Sequence, residues 1–412
     1  MRIVQVSTGV VRIPVVGYGG VERHISNLSL TLAKARTSVK IVDAAFEQGE
    51  RADKLGDIQI YRVGGRGLRL IRGLANLGGF LGVVLLKLVE VIYSVQVLMY
   101  LRAELSNCDV IHFHSSLTGF ILSIHPGVRR RSVYTIHSVL HSPEYTSRGA
   151  MAKFNVLIDL WLARRVSALI TVNPAQRGVF IQRYRVSPSK VTFIPNGVNN
   201  MRLTAGSMEG IRSLLGFGTK FIVLHIARLS KEKGTDILVA AAKEVIAKMG
   251  PDSCKFVFVG PSSLSFREEV MTRVQELDLR DSIELMGPVS DQTVRELLSV
   301  ADIFVLPSRV DAFDLSVLEA MSSGKPIVGT RLSGMSVQVI DGFNGILVDD
   351  AEPSVVAAAI MKIMTNSALK SRMAKNSEAR SRDFSWDNTT RDVLAVYTRL
   401  TESAPISSNT SG

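Results

Sequence analysis

Between Leu306 and Val328 the chain reads LPSRVDAFDLSVLEAMSSGKPIV, and two of its carboxylates, Asp311 and Glu319, stand eight residues apart. Carboxylates accept hydrogen bonds from vicinal hydroxyls, so a sugar and a ribose are natural partners. An apolar run ends at Leu306, and Pro307 and Ser308 open a loop that holds Asp311. A short helix is expected from about Leu315 to Ser323, stopped by Gly324, Lys325 and Pro326. The free backbone N–H groups at its start, around Asp314, Leu315 and Ser316, suit a phosphate.

A second stretch, FIVLHIARLSKEKG at 221–234, delivers Arg228 and Lys233 just past an apolar strand. Arg offers a planar fork and Lys a point charge, a pair that fits a diphosphate. A third, GYGGVERH at 17–24, follows the first strand and puts Gly19 and Gly20 ahead of a helix. Glycines there let backbone N–H groups approach an anion. The full G-x-G-x-x-G spacing of a dinucleotide site is absent from the chain. No D-x-D triplet of the kind that holds a divalent metal occurs either.

The elements that must position these residues alternate. Expected strands in the first half are Arg2–Val6, Val39–Asp43, Ile58–Val63, Val110–Phe113, Ser132–Ile136, Ala168–Val172 and Val191–Ile194. In the second half they are Phe221–Ile226, Lys255–Val259, Ser282–Met286, Asp302–Leu306 and Pro326–Gly329. Strands alternating with helical patterns imply parallel sheets covered on both faces. In such sheets ligands bind at the C-terminal edge, where all three stretches lie. The chain of 412 residues therefore divides into two doubly wound α/β domains, 1–200 and 201–386. A last helix, 387–402, completes the first domain, and 403–412 is a polar tail expected to be disordered.

Charge is uneven. Residues 1–200 carry 25 Lys/Arg and 11 Asp/Glu, against 24 and 26 in residues 201–412. A basic first half calls for an acidic partner. No nucleic-acid recognition motif or aromatic platform accompanies it, so an anionic membrane surface or a lipid-linked acceptor is the expected partner. Within 66–105, Leu81, Leu85, Leu88, Ile92, Val95 and Met99 recur on one helical face, preceded by Arg62, Arg66, Arg69 and Arg72. That segment reads as a core helix pair or as a basic apolar surface in a membrane interface. The longest uncharged apolar-rich stretch, 73–86, has 14 residues, short of the ~20 that a spanning helix needs. Met1–Ser7 reads as a strand, so no secretory signal is expected. The two cysteines, Cys108 and Cys254, fall in different halves and suggest a reducing compartment. The expected location is cytoplasmic, peripheral on the membrane face.

Taken in order, GYGGVERH, DVIHFH at 109–114, TIHS at 135–138, IPNGV at 194–198, ARLSKEKG at 227–234, VGP at 259–261 and the carboxylate block resemble the family-four retaining glycosyltransferases of the GT-B fold. The resemblance covers most of the chain. It implies two facing Rossmann-like domains, with the helix after Phe384, Ser385 and Trp386 crossing back to the first. It implies that Arg228 and Lys233 bind the donor diphosphate, that Glu319 binds the ribose, and that Gly19 and Gly20 form the loop facing the diphosphate. Asp311 takes the place of the first Glu of the family's E-x7-E pattern, one methylene shorter, and would contact the donor sugar. His137 matches the active-site histidine near the transferred sugar. Asp314 stands where Gly is usual, an extra carboxylate that is tolerable if it caps the helix. The activity implied is retaining, metal-independent transfer from a UDP- or GDP-sugar to a glycan or lipid-linked hydroxyl, with no cofactor beyond the sugar nucleotide. A sugar-nucleotide epimerase, a phosphorylase or an inactive sugar-nucleotide binder on the same plan are the alternatives.

Overall fold

The computed structural model describes residues 1–15, 19–47, 50–65, 70–71, 73, 79–137, 150–201, 211–213, 216–310 and 313–402. They form two compact units. The first holds the described residues of 1–15, 19–195 and 386–402, and the second those of 196–385.

The first unit is built on an eight-stranded sheet in the order β3-β4-β2-β1-β5-β6-β7-β8. Its strands are β1 (Arg2–Val6), β2 (Ser38–Ala44), β3 (Ala52–Leu55), β4 (Ile58–Val63), β5 (Val110–Phe113), β6 (Ser132–Ile136), β7 (Ala168–Thr171) and β8 (Val191–Phe193). All neighbours are parallel except β3 and β4. That hairpin is absent from the sequence reading. Ala52–Leu55 has two charged residues in four and lies at the sheet edge, so it carries no apolar run to read. Gly56, at φ +58°, makes its tight turn.

The second unit has a six-stranded, all-parallel sheet in the order β11-β10-β9-β12-β13-β14. The strands are β9 (Phe221–Ile226), β10 (Cys254–Val259), β11 (Ile283–Gly287), β12 (Ile303–Leu306), β13 (Ile327–Thr330) and β14 (Gly345–Val348). β14 is the other strand that the sequence did not disclose. In both sheets the order reverses beside a central strand, β1 in the first and β9 in the second. The loops leaving that edge diverge and open a crevice for ligands. The expected doubly wound class is what the structure has.

Within the apolar segment the described residues include one long helix, Gly79–Glu104. Its core side is Val89, Tyr93, Val97 and Leu101, all buried, at a strict four-residue interval. Leu88, Val95 and Met99, which the sequence grouped on one face, look outward, with Val84 and Val91 beside them. Arg62, counted with the surface arginines, has no exposed side chain at all. It pairs with Asp43, with Asp53 at 2.9 Å and with Glu50 at 3.0 Å. Arg66, Arg69 and Arg72 lie outside the described residues.

Candidate active site

In the second unit the chemistry collects where β9 and β12 end side by side. The two strands pair in register through Val223 with Ile303 and Leu224 with Phe304, so their loops leave together. The β9 loop carries Arg228 and Lys233, and the β12 loop leads into the helix Leu315–Ser322 that carries Glu319. Ser308 Oγ and Arg309 N both donate to the carbonyl of Glu232, at 3.1 and 2.8 Å. Arg309 forks onto Asp236 at 2.7 and 2.9 Å. Two glycines permit this close packing. A Cβ on Gly234 (φ +70°) would sit 1.9 Å from the Pro307 carbonyl oxygen, and one on Gly260 (φ +136°) 1.8 Å from that of Ala227. Buried His225 ties β9 to β12 by donating from Nδ1 to Val305 O at 2.9 Å. Burial drops its pKa to about 4, so the ring is neutral.

Lys233 Nζ donates to Asp314 Oδ1 at 2.6 Å, with both side chains mostly buried. Asp314 stands at the N-cap of the Leu315–Ser322 helix, yet makes no side-chain capping bond. The capping role expected for it is therefore not the one it plays: its carboxylate serves Lys233. Arg228 Nη2 donates to Glu232 Oε2 at 2.7 Å and stays about half-exposed. An exposed pair of this kind is worth roughly 0–1 kcal/mol, so it holds the guanidinium only weakly. The N–H groups of Leu315 and Ser316 open the helix, and Glu319 follows one turn later, partly buried. Asp311 lies outside the described residues.

In the first unit Gly19 precedes and Gly20 begins the helix Gly20–Lys34. A Cβ on Gly20 would meet nothing within 4 Å, whereas one on Gly19 would meet Val15 and Val11 at 3.2 and 3.3 Å. Glu22, in the first turn of that helix, is buried and accepts a hydrogen bond from Thr8 Oγ1. Burial pushes its carboxyl pKa up.

His137 follows β6 directly and stands in a group of imidazoles. His24 is edge-on to it at 4.6 Å between ring centroids, and His114 Nδ1 lies 3.0 Å from His137 Nε2. His112 and His114 carry the network inward to Gln5 on β1 and Tyr397 on the helix Trp386–Glu402. Burial, then the neighbouring imidazoles, hold His112, His114 and His137 well below the usual histidine pKa. Ring nitrogens of His24, His114 and His137 lie within 4.8 Å of one another, the spread of a three-histidine metal site. Two of these rings are already joined by the His114 Nδ1–His137 Nε2 hydrogen bond. Sequence reasoning quoted these histidines in motifs but gave a role to His137 alone. The signal was present: an H-x-H on a strand puts both rings on one face of the sheet.

Two doubly wound units, with a cation pair and a carboxylate-bearing helix at the sheet edge of the second, define a GT-B glycosyltransferase. The family model described as Glycosyl transferases group 1 matches residues 209–380, and the one described as Glycosyltransferase Family 4 matches residues 18–202. A D-inositol 3-phosphate glycosyltransferase of Actinosynnema mirum is 28% identical over 306 residues, covering 72% of this chain and 73% of that protein. One from Corynebacterium urealyticum is 26% identical, covering 93% and 91%. Among solved structures, a sucrose-phosphate synthase from Thermosynechococcus elongatus superposes with a TM-score of 0.76 at 19% identity, covering 98% of this chain and 100% of that one. Anabaena Alr3699/HepE in complex with UDP-glucose does so at 0.75 and 20%, covering 97% and 100%. The protein is an enzyme that transfers glycosyl groups.

Proposed function

We propose that the enzyme moves a sugar, with retention of configuration and without a metal, from a UDP- or GDP-sugar to a hydroxyl of a glycan or lipid-linked acceptor at a membrane. The observation that carries the donor half is the β9–β12 edge. Arg228 and Lys233 stand there beside a helix N-terminus, a set that neutralises a departing nucleoside diphosphate. Glu319 takes the ribose hydroxyls and Leu315 and Ser316 the phosphate through their backbone N–H groups. Gly20, where a Cβ would meet nothing within 4 Å, leaves room for an anion with Gly19 beside it, and Asp311 contacts the donor sugar. His137 sits at the transferred sugar. The likeness to a UDP-glucose complex supports a sugar nucleotide as donor.

The membrane half rests on the outer face of the Gly79–Glu104 helix. Val84, Leu88, Val91, Val95 and Met99 are exposed along it at i+3/i+4 spacing, with Met99 66% exposed. The helix Ala150–Arg165 adds exposed Phe154 and Leu157, and it packs on the same short helix, Ser116–Leu122. Because Tyr93, Val97 and Leu101 are committed to the core, the Gly79–Glu104 helix lies along the interface instead of crossing it. The basic charge of the first 200 residues draws it to anionic lipid.

The donor reading is tested by transfer or hydrolysis assays with UDP- and GDP-sugars on Arg228→Ala and Glu319→Ala. Both variants should fold and lose turnover by about a hundredfold or more. Turnover at the wild-type rate in both would refute the assignment.

A further inference from the structure

We infer that Gln5 and Tyr397 are positioning residues that fix His137 as the tautomer protonated at Nε2, leaving Nδ1 as a hydrogen-bond acceptor for a sugar or acceptor hydroxyl. This rests on reading His137 as a site residue.

The chain of contacts runs through the sheet. Gln5 is a fully buried amide in the middle of β1, where Val4 and Val6 are core. A buried amide in a central strand is costly unless both its ends are bonded. Its Nε2 donates to Tyr397 Oη at 3.2 Å, and its Oε1 lies 2.9 Å from His114 Nε2. An amide oxygen only accepts, so His114 donates from Nε2. His114 is buried and neutral, and its single proton is thereby assigned to Nε2. Its Nδ1 then holds a lone pair, and the partner at 3.0 Å, His137 Nε2, must donate into it. The proton of His137 is used up in this bond. Its Nδ1 carries the lone pair and has no hydrogen-bond partner among the described residues.

Tyr397 pairs the NH2 end of the amide, and without its hydroxyl that end has no partner among the described residues to hold the amide in place. The Tyr397 hydroxyl accepts from Gln5 Nε2 at 3.2 Å and lies 2.6 Å from His112 Nδ1, and His112 Nε2 lies 2.6 Å from Thr135 Oγ1. Turning the Gln5 amide round would aim its NH2 at His114 Nε2, move the His114 proton to Nδ1 and reverse His137. The last helix thus reaches the site through three intermediaries, without touching a substrate.

Nitrogen NMR on protein labelled with 15N-histidine reads the tautomer directly, with His137 assigned from the spectrum of His137→Gln. Wild type should show His137 protonated at Nε2 and not at Nδ1. Tyr397→Phe and Gln5→Leu, folded by circular dichroism, should show both forms at comparable populations. For Tyr397→Phe, kcat should fall about tenfold with the donor KM within twofold of wild type. A wild-type His137 protonated at Nδ1 overturns the inference, and so does a tautomer unchanged in Tyr397→Phe. The wild-type spectrum decides even if both variants fail to fold. If wild type shows the stated tautomer but transfers sugar from no sugar nucleotide, the proposed function fails and the relay stands.

Discussion

Lys233 shows how far one residue's neighbours set its chemistry. A lysine bound to a diphosphate needs its ammonium free at the moment of binding, and here Asp314 holds it at 2.6 Å. The carboxylate competes with phosphate for the same cation and repels it. Asp314→Asn keeps a polar group of the same size and removes the charge. Titration calorimetry with UDP and GDP should then show tighter binding, by about tenfold, or ~1.4 kcal/mol. Weaker binding in the variant would mean that the carboxylate orders Lys233 more than it competes. The sequence disclosed Asp314 as a departure from the family pattern. It did not disclose the partner, because residues 81 positions apart meet only when β9 and β12 pair.

At the scale of elements, glycines and helix faces decide the outcome. Gly234 ends the Lys233 turn in the left-handed region, and its missing Cβ lets the Pro307 loop pass. Gly234→Ala should lower stability by about 2–4 kcal/mol in denaturant melts and weaken nucleotide binding with it. Stability and binding within error of wild type would contradict this packing. The helix Gly79–Glu104 divides its apolar residues between two faces. Val95→Asp and Met99→Asp should leave the melting temperature within a few degrees and abolish flotation with anionic liposomes. Tyr93→Ala, from the buried face, should cost about 3 kcal/mol or more. Liposome binding that survives both Asp substitutions would remove the membrane from the account. The sequence made this helix legible as a helix, and the apolar period was real. Which face met the core was not legible, since both faces are apolar and periodicity marks a face only by contrast. The strands were legible where they are buried, as in VLHI and FVFV. Ala52–Leu55 and Gly345–Val348 were not, being four-residue strands at sheet edges.

For the molecule as a whole, four buried or half-buried histidines tie stability to pH. His112, His114 and His137 are held well below their usual pKa, and His225 is lowered to about 4. In the unfolded chain each takes up a proton near 6.5. Between that pH and its lowered native value the unfolded state binds more protons, so stability rises with pH and is lost on acidification. His225 alone contributes about 3 kcal/mol across its window. Burial raises the carboxyl pKa values of Glu22 and Asp43, and these two push the other way. With four groups against two, the melting temperature should fall from pH 7 to pH 5. A flat profile would show that the histidines are hydrated or charged in the native state.

The claim on which the rest depends is that the loops after β9 and β12 hold a nucleoside diphosphate. Thermal shift with UDP-, GDP- and ADP-sugars measures it on the intact enzyme, because a ligand of the folded state raises its melting temperature by mass action. One nucleotide series should stabilise wild type, and its shift should vanish in Arg228→Ala/Lys233→Ala. If no sugar nucleotide shifts wild type, or the double variant shifts equally, the nucleotide is not held by these loops.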